Sequence, residues 1–167
     1  MARFYGFHNI PNHMLQGAAN GKLTHRQSFE RKLGNTLLAC GCTEVSTFSF
    51  ISPKAYDKIC LPPDSELRNS IVILNPLGED TSIMRTTILP SMLDVLSFNY
   101  NHKTEAACMY EMGTVYTPTT PDNLPIESQK VTIGMYGNGA DFFALKGIVE
   151  KLLDCLHVDH YLSLIHI

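Results

Sequence analysis

Few groups in this chain have the means to do chemistry, and they stand apart. Arg85 lies alone between an apolar run, Ile71-Val72-Ile73-Leu74, and a periodic apolar segment that opens near Pro90. The planar fork of arginine holds phosphate or carboxylate oxygens at fixed geometry, although a single arginine at such a junction is most often solvated or salt-bridged. Gly134-Met135-Tyr136-Gly137-Asn138-Gly139 sits between a predicted strand and a predicted helix, where backbone amides can cradle a phosphate. It lacks the lysine of GxxxxGK[ST], so it reads as a turn, and a small nucleotide-binding enzyme would rest on this run alone. Glu79 and Asp80 are adjacent acids in a glycine turn, an ordinary place for solvent-facing carboxylates. His157 and His160 stand three apart at a helix end with no third ligand nearby, and His8, His13, His25 and His102 share no spacing. Cys40, Cys42, Cys60, Cys108 and Cys155 form an odd, scattered set without CxxC spacing, which argues against a disulfide framework or a zinc site. They read as reduced core or near-core thiols, with Cys40-Gly41-Cys42 a helix end running into a strand. No Ser/His/Asp or Cys/His arrangement follows from order alone. Catalytic, cofactor-binding and metal-ligating residues are therefore each assigned as none.

The elements that must position these groups are legible from period and punctuation. Residues 1–22, rich in Gly, Asn, Pro and His, read as an arm or linker carrying at most the short segment ARFYGFHNIP. Thr24 with Gln27 fits a capping box for a helix over 25–40, with Phe29, Leu33 and Leu37 inward and Gly41 as its left-handed stop. Its polar face, Arg26, Glu30, Arg31, Lys32 and Asn35, reads as a solvated face. Glu44 to Phe50 alternates as an antiparallel strand with Phe48 and Phe50 expected inward. Ser52-Pro53 opens a short helix from Lys54 to Ile59. Ile71 to Leu74 reads as a buried strand stopped by Asn75-Pro76, and Thr86 or Thr87 as the cap of a helix whose apolar face is Leu89, Met92, Leu93 and Leu96, extending to Tyr100. Residues 105–110 and 113–116 form a strand region in which Glu111 and Gly113 mark a bulge or a close backbone approach. The proline-laden stretch Thr117 to Ser128 reads as a lid or contact loop, followed by a strand from Lys130 to Met135. Asp141 caps a last helix with Phe142, Leu145, Ile148, Val149, Leu152, Leu153 and Leu156 on one side, despite Gly147. Helices mixed with hairpin-like strands and no strict alternation predict an α+β domain with a mainly antiparallel sheet.

The totals agree with one globular domain. At 167 residues, 44% hydrophobic and 17% charged, the chain can bury a core, and a net charge of −3 without a basic block argues against a primary nucleic-acid surface. No apolar run is long enough to span a bilayer and the first residues lack the apolar core of a signal peptide, so a cytoplasmic location is expected.

Three blocks in order, NPLGEDTSIMRTTILPSMLDVLSFN from Asn75, EMGTVY over 111–116 and DFFALKGIVE over 141–150, resemble the beta chain of bacterial phenylalanine-tRNA ligase, a class II aminoacyl-tRNA synthetase. The resemblance runs over residues 2–156 and implies a class II catalytic-like module, incomplete at its C-terminus and preceded by the end of a small domain in residues 1–22. The core domain is then expected over 23–161, with 162–167 resembling the translated end of a sequencing-library adapter. In catalytic relatives the strand resembling EMGTVYT carries an arginine for the ATP phosphates, whereas the residue after Tyr116 is Thr117. The loop carrying Pro118, Pro121 and Pro125 also lacks the acidic and histidine residues found there, and the family's magnesium-binding acids match no residue of this chain. The resemblance thus implies an inactive module that packs on the alpha catalytic chain of an α2β2 ligase, which attaches phenylalanine to tRNA(Phe) with ATP and Mg2+, with no membrane or DNA partner. Asn75, Pro76, Arg85, Pro90, Asp141, Phe142, Phe143, Lys146 and Gly147 carry the matched blocks and are expected to shape the module and its alpha interface. A free-standing synthetase-like scaffold is the alternative.

Overall fold

The computed structural model describes residues 1–14, 17, 21–120 and 123–158. In chain order its elements are α1 (Ala2–Tyr5), α2 (His25–Ala39), β1 (Thr43–Glu44), β2 (Phe50–Ile51), α3 (Ala55–Lys58), β3 (Ile83–Met84), α4 (Leu89–Asn101), β4 (Ala107–Thr117), β5 (Ile126–Tyr136) and α5 (Phe142–Cys155). Local signals act as the sequence predicted at both well-capped helices. The Thr24 hydroxyl accepts from the Gln27 amide at 3.2 Å while the Gln27 side chain accepts from the Thr24 amide at 2.9 Å, and Gly41 ends α2 at φ +84°. The Asp141 carboxylate accepts from the Ala144 amide at 2.6 Å to open α5.

The sheet has the order β1-β4-β5, with β4 and β5 antiparallel and the two-residue β1 parallel to β4. Helices α2 and α5 cover one face. Leu33 and Leu37 of α2, Cys42, Tyr110 of β4 and Leu152 of α5 form that core, joined by Met112, Ile133 and Ile148. Helix α4 lies on the other face, where Met92 and Leu96 pack so tightly over Gly134 that an added Cβ would sit 2.6 Å from the Leu96 Cδ1. A second core of Ile51, Ala55, Tyr56 and Ile83 underlies the β2-β3 ribbon. There the Tyr56 hydroxyl bonds to Ser70 and Thr86 at 2.6 and 2.9 Å.

Several expectations are corrected. The ladder from Ala107 opposite Tyr136 to Thr117 opposite Ile126 is continuous, so Glu111 and Gly113 mark no bulge. Strand β5 starts at Ile126, which takes Ile126 to Ser128 out of the expected loop. Ile71 to Leu74 is not a buried strand: only Val72 bridges Ile83, and Val72 and Leu74 are 72% and 96% exposed. The segment runs along the edge of a two-stranded ribbon, which has one partner and therefore one buried side. On α4 the buried residues are Pro90, Met92 and Leu96, preceded by Ile88, while Leu89, Leu93 and Tyr100 are exposed. The Thr87 hydroxyl accepts from the Leu89 amide at 3.3 Å, but the residue at the cap position is Ile88, and Thr86 is held instead by Tyr56. Phe29 of α2 and Phe142 and Val149 of α5 are likewise exposed, and Cys60 is an exposed thiol rather than a core one. His160, Pro121 and the segment 162–167 lie outside the described residues, as do linker positions 15, 16 and 18–20.

Gly147 of α5 is exposed, and a Cβ built there meets nothing within 4 Å. Gly147→Ala is therefore expected to stabilise the chain by about 1 kcal/mol through helix propensity alone, read as a higher denaturant midpoint at unchanged slope.

Candidate functional site

The feature that organises this molecule is a buried charge pair on the α4 face of the sheet. Arg85 and Glu111 are each 2% exposed. The Arg85 Nη1 donates to Glu111 Oε1 and to the Thr47 hydroxyl, both at 2.9 Å, and its Nε donates to the Thr114 carbonyl at 2.9 Å. The Thr47 hydroxyl in turn donates to Glu111 Oε2 at 2.7 Å. Among the described residues no buried side-chain nitrogen or oxygen lacks a partner, so the pair meets the condition under which buried ions are tolerated. Gly113 is the floor of this cluster: a Cβ there would lie 2.3 Å from the Arg85 Nη2 and 2.9 Å from Glu111 Oε1. The expected close backbone approach at Gly113 is thus a guanidinium lying against the strand.

The backbone around Arg85 ties three segments together. Its amide donates to the Ser49 carbonyl at 2.9 Å and its carbonyl accepts from the Tyr116 amide at 3.0 Å. Extended backbone sends alternate side chains to opposite sides. Because Thr47 turns inward to the ion pair, Phe48 must turn outward, and it is 84% exposed. This reverses the expectation for residues 44–50, in which the aromatic side faced in. The outward phenylalanines are not scattered. Phe48, Phe50, Ile73, Pro76 and Leu77, with Asn75 and Thr81, line a cleft of about 400 Å³. Leu77 is fully exposed at its rim. Its apolar lining, open to solvent, makes the cleft a candidate docking surface.

The sequence-derived site residues fall into three places. Asn75 and Pro76 are in the cleft, while Arg85 and Pro90 are buried beside it. Asp141, Phe142, Phe143, Lys146 and Gly147 cluster in the first half of α5. There the two phenylalanine rings meet edge to face at 5.5 Å, and Lys146 pairs with Glu150 at 3.4 Å. Thr47 and the outward Phe48 were not singled out from sequence, and Glu111 was marked there as a bulge or close approach and not as an ion-pair partner. A lone carboxylate inside an alternating strand, in a chain with one lone junction arginine, was the signal available.

Other candidates resolve as turns or surface groups. Gly137, at φ +103°, packs against Ala106, and Gly139 takes φ +85°, so backbone conformation accounts for both glycines. Glu79 pairs with Lys54 at 2.8 Å, and this exposed lysine holds the carboxyl below its ordinary range. His157 closes α5 at φ +57°. Among the described residues no group of three or more His, Cys, Asp or Glu side chains could hold a metal, and no helix is long and apolar enough to cross a membrane. On the opposite face, burial pushes the Cys42 thiol up from an ordinary 9.0 to about 12, with the hydrogen bond between its sulfur and that of Cys108 adding to it. The folded chain keeps this proton while the unfolded chain loses it from pH 9.0 upward. The resulting stability is intact below pH 9.0 and is lost as pH climbs toward about 12. Unfolding midpoints should accordingly fall between about pH 8 and about pH 10 in the native chain, and fall less in Cys42→Ala.

Residues 10–164 match the family described as the phenylalanyl tRNA synthetase beta chain CLM domain. The chain belongs to this family. The phenylalanine-tRNA ligase beta subunits of Clostridium acetobutylicum and Clostridium tetani are each 44% identical to it over 162 residues, covering 95% of this chain and 20% of theirs. That of Bacillus subtilis is 32% identical over 169 residues. The chain therefore spans about one fifth of the length of the curated relatives it matches. A crystal structure of pyrrolysyl-tRNA synthetase from Desulfitobacterium hafniense superposes with a TM-score of 0.64 at 18% identity, over 81% of this chain and 48% of that one. This likeness establishes the fold: the CLM domain is an α+β, class II synthetase-like module. The Arg85–Glu111 pair and the phenylalanine cleft are features of the CLM domain's sheet and of its adjoining ribbon.

Proposed function

We propose that this CLM domain is a non-catalytic module of the beta chain that braces the alpha catalytic chain of a phenylalanine-tRNA ligase. The observation that carries the reading is the state of its positive charge. Activation of an amino acid by ATP gathers negative charge on the alpha phosphate and needs cations aimed at it. Here the arginine laid against the sheet is spent on Glu111, and its Nη1 and Nε are aimed at protein acceptors. The β4-β5 hairpin and its loop carry one other Lys or Arg, Lys130, and Thr117 occupies the end of β4. In this reading the working chemistry, ATP and Mg2+ included, belongs to the alpha chain. The assembly is α2β2 and cytoplasmic, tRNA(Phe) binds through the whole complex, residues 1–22 belong to a preceding small domain and 23–161 to the synthetase-like core.

The cleft of Phe48, Phe50, Ile73, Pro76 and Leu77 is the docking face, supported by its apolar lining and by aromatic anchors of the type that dominate interfaces. Two measurements test the proposal. The chain mixed with ATP and phenylalanine should give no pyrophosphate exchange, and turnover without an alpha chain would sink the non-catalytic reading. Phe48→Asp with Leu77→Asp should weaken binding to the alpha chain by roughly 100-fold at unchanged stability, since both side chains are exposed in the free domain. Unchanged affinity would remove the cleft from the interface.

A further inference from the structure

The reverse face of the sheet holds a feature with no part in that role. Cys42 enters β1 and Cys108 lies in β4, and their sulfurs stand 3.0 Å apart although 66 residues separate them in sequence. They occupy the step just before the parallel pairing of Thr43 with Met109, on neighbouring backbones. Neighbouring strands lie about 4.8 Å apart, inside the range of Cα separations that a disulfide spans. Both thiols are free. Cys42 is 3% exposed and sealed in the α2-α5 core. Cys108 is partly exposed and lines an open cavity of about 210 Å³ with Ala106, Tyr136 and Asn138. One member of the pair can therefore be reached from solvent and the other cannot.

We propose that Cys42 and Cys108 are a peroxide-oxidisable pair, with Cys108 the attacked thiol and Cys42 the resolving one. A hydroperoxide entering the cavity transfers one oxygen to Cys108, giving its sulfenic acid and releasing water when the oxidant is hydrogen peroxide. The Cys42 sulfur then attacks the Cys108 sulfur. The S–S bond forms as the S–O bond breaks, and the hydroxide leaves with the Cys42 proton as a second water. Two thiols are oxidised and one peroxide is reduced. Burial suppresses ionisation of Cys42, which slows the second step relative to a free thiol in solution, and the 3.0 Å contact offsets this by holding the sulfur in place. The product staples β1, and with it α2, to the central hairpin.

The test uses the full chain with exposed Cys60 replaced by serine, leaving four of its five cysteines. After hydrogen peroxide treatment of the folded chain and alkylation in denaturant, four alkylatable thiols should fall to two. Peptide mapping should find Cys42 joined to Cys108 by a bond that dithiothreitol cleaves. Added Cys42→Ala should leave Cys108 as a sulfenic acid that dimedone traps, with circular dichroism reporting that the fold survives. Oxidation of Cys108 to sulfinic or sulfonic acid while Cys42 stays alkylatable would overturn the proposal. So would a dominant link through Cys40 or Cys155, or an unchanged thiol count. If the alanine variant does not fold, the mapping of the parent chain still decides.

Discussion

Arg85→Met is expected to cost about 3–5 kcal/mol of stability, because it leaves the Glu111 carboxylate buried with Thr47 as its remaining partner. The penalty comes mostly from the orphaned charge, and for that reason removal of both partners should be far milder than removal of one. In Arg85→Met with Glu111→Leu, most of the loss should return, leaving a coupling of about 2 kcal/mol or more between the sites. Denaturant unfolding of the two single variants and the double variant measures this directly. A single-variant loss below about 1 kcal/mol would mean that the pair is hydrated in solution, as an exposed pair would be. Arg85→Lys is not a conservative change here. A lysine amine cannot donate from both an Nε and an Nη1 position, so the bonds to Thr114 and to Glu111 with Thr47 cannot all be kept.

Gly137→Val should be comparably severe, costing about 3 kcal/mol or more from backbone strain and overpacking together. At φ +103° an L side chain is strained, and its Cβ would lie 2.5 Å from the Ala106 Cβ and 2.6 Å from the Glu105 carbonyl oxygen. Those atoms belong to backbone or sit directly on it, so they cannot rotate aside as a long side chain would. Gly139→Ala is the control. It also has a positive φ, but its Cβ meets nothing within 4 Å, so it should cost about 1 kcal/mol. The contrast bears on the nucleotide-binding alternative for this run. Loss of ATP binding in Gly137→Val would follow from damage to the end of the hairpin, so calorimetry on that variant is informative only beside its unfolding curve. A Gly139→Ala chain that unfolds as readily as Gly137→Val would contradict the steric account.

Much of the fold was legible because its signals act over a few residues. Thr24 with Gln27, Asp141 with Ala144, and Gly41 at a left-handed stop each complete their hydrogen bonds within about one helical turn. Order and type of the main elements follow from such signals together with apolar period. The α4 segment shows where that reading thins. Leu89 and Leu93 share the helical spacing of Met92 and Leu96, yet they are each 45% exposed at the rim of a groove shared with α5. Spacing places a residue on a face, whereas the width of the buried stripe depends on what lies beneath it.

The amino-acid order by itself determined the α+β class, both capped helices, the family blocks and the lack of a cationic residue at Thr117. It could not determine which side of residues 45–50 faces inward. That segment carries Val, Thr and Ser on one side and Ser, Phe and Phe on the other, and hydrophobicity alone favours burying the phenylalanines. The tertiary structure decided the opposite, through a partner 64 residues away: Glu111 and Arg85 must have the Thr47 hydroxyl, and a buried charge left unpaired costs more than an exposed ring. The same long-range pairing brings Cys42 beside Cys108 and turns Phe48 to the surface, because strand neighbours are chosen by the sheet and not by the residues that precede them in the chain.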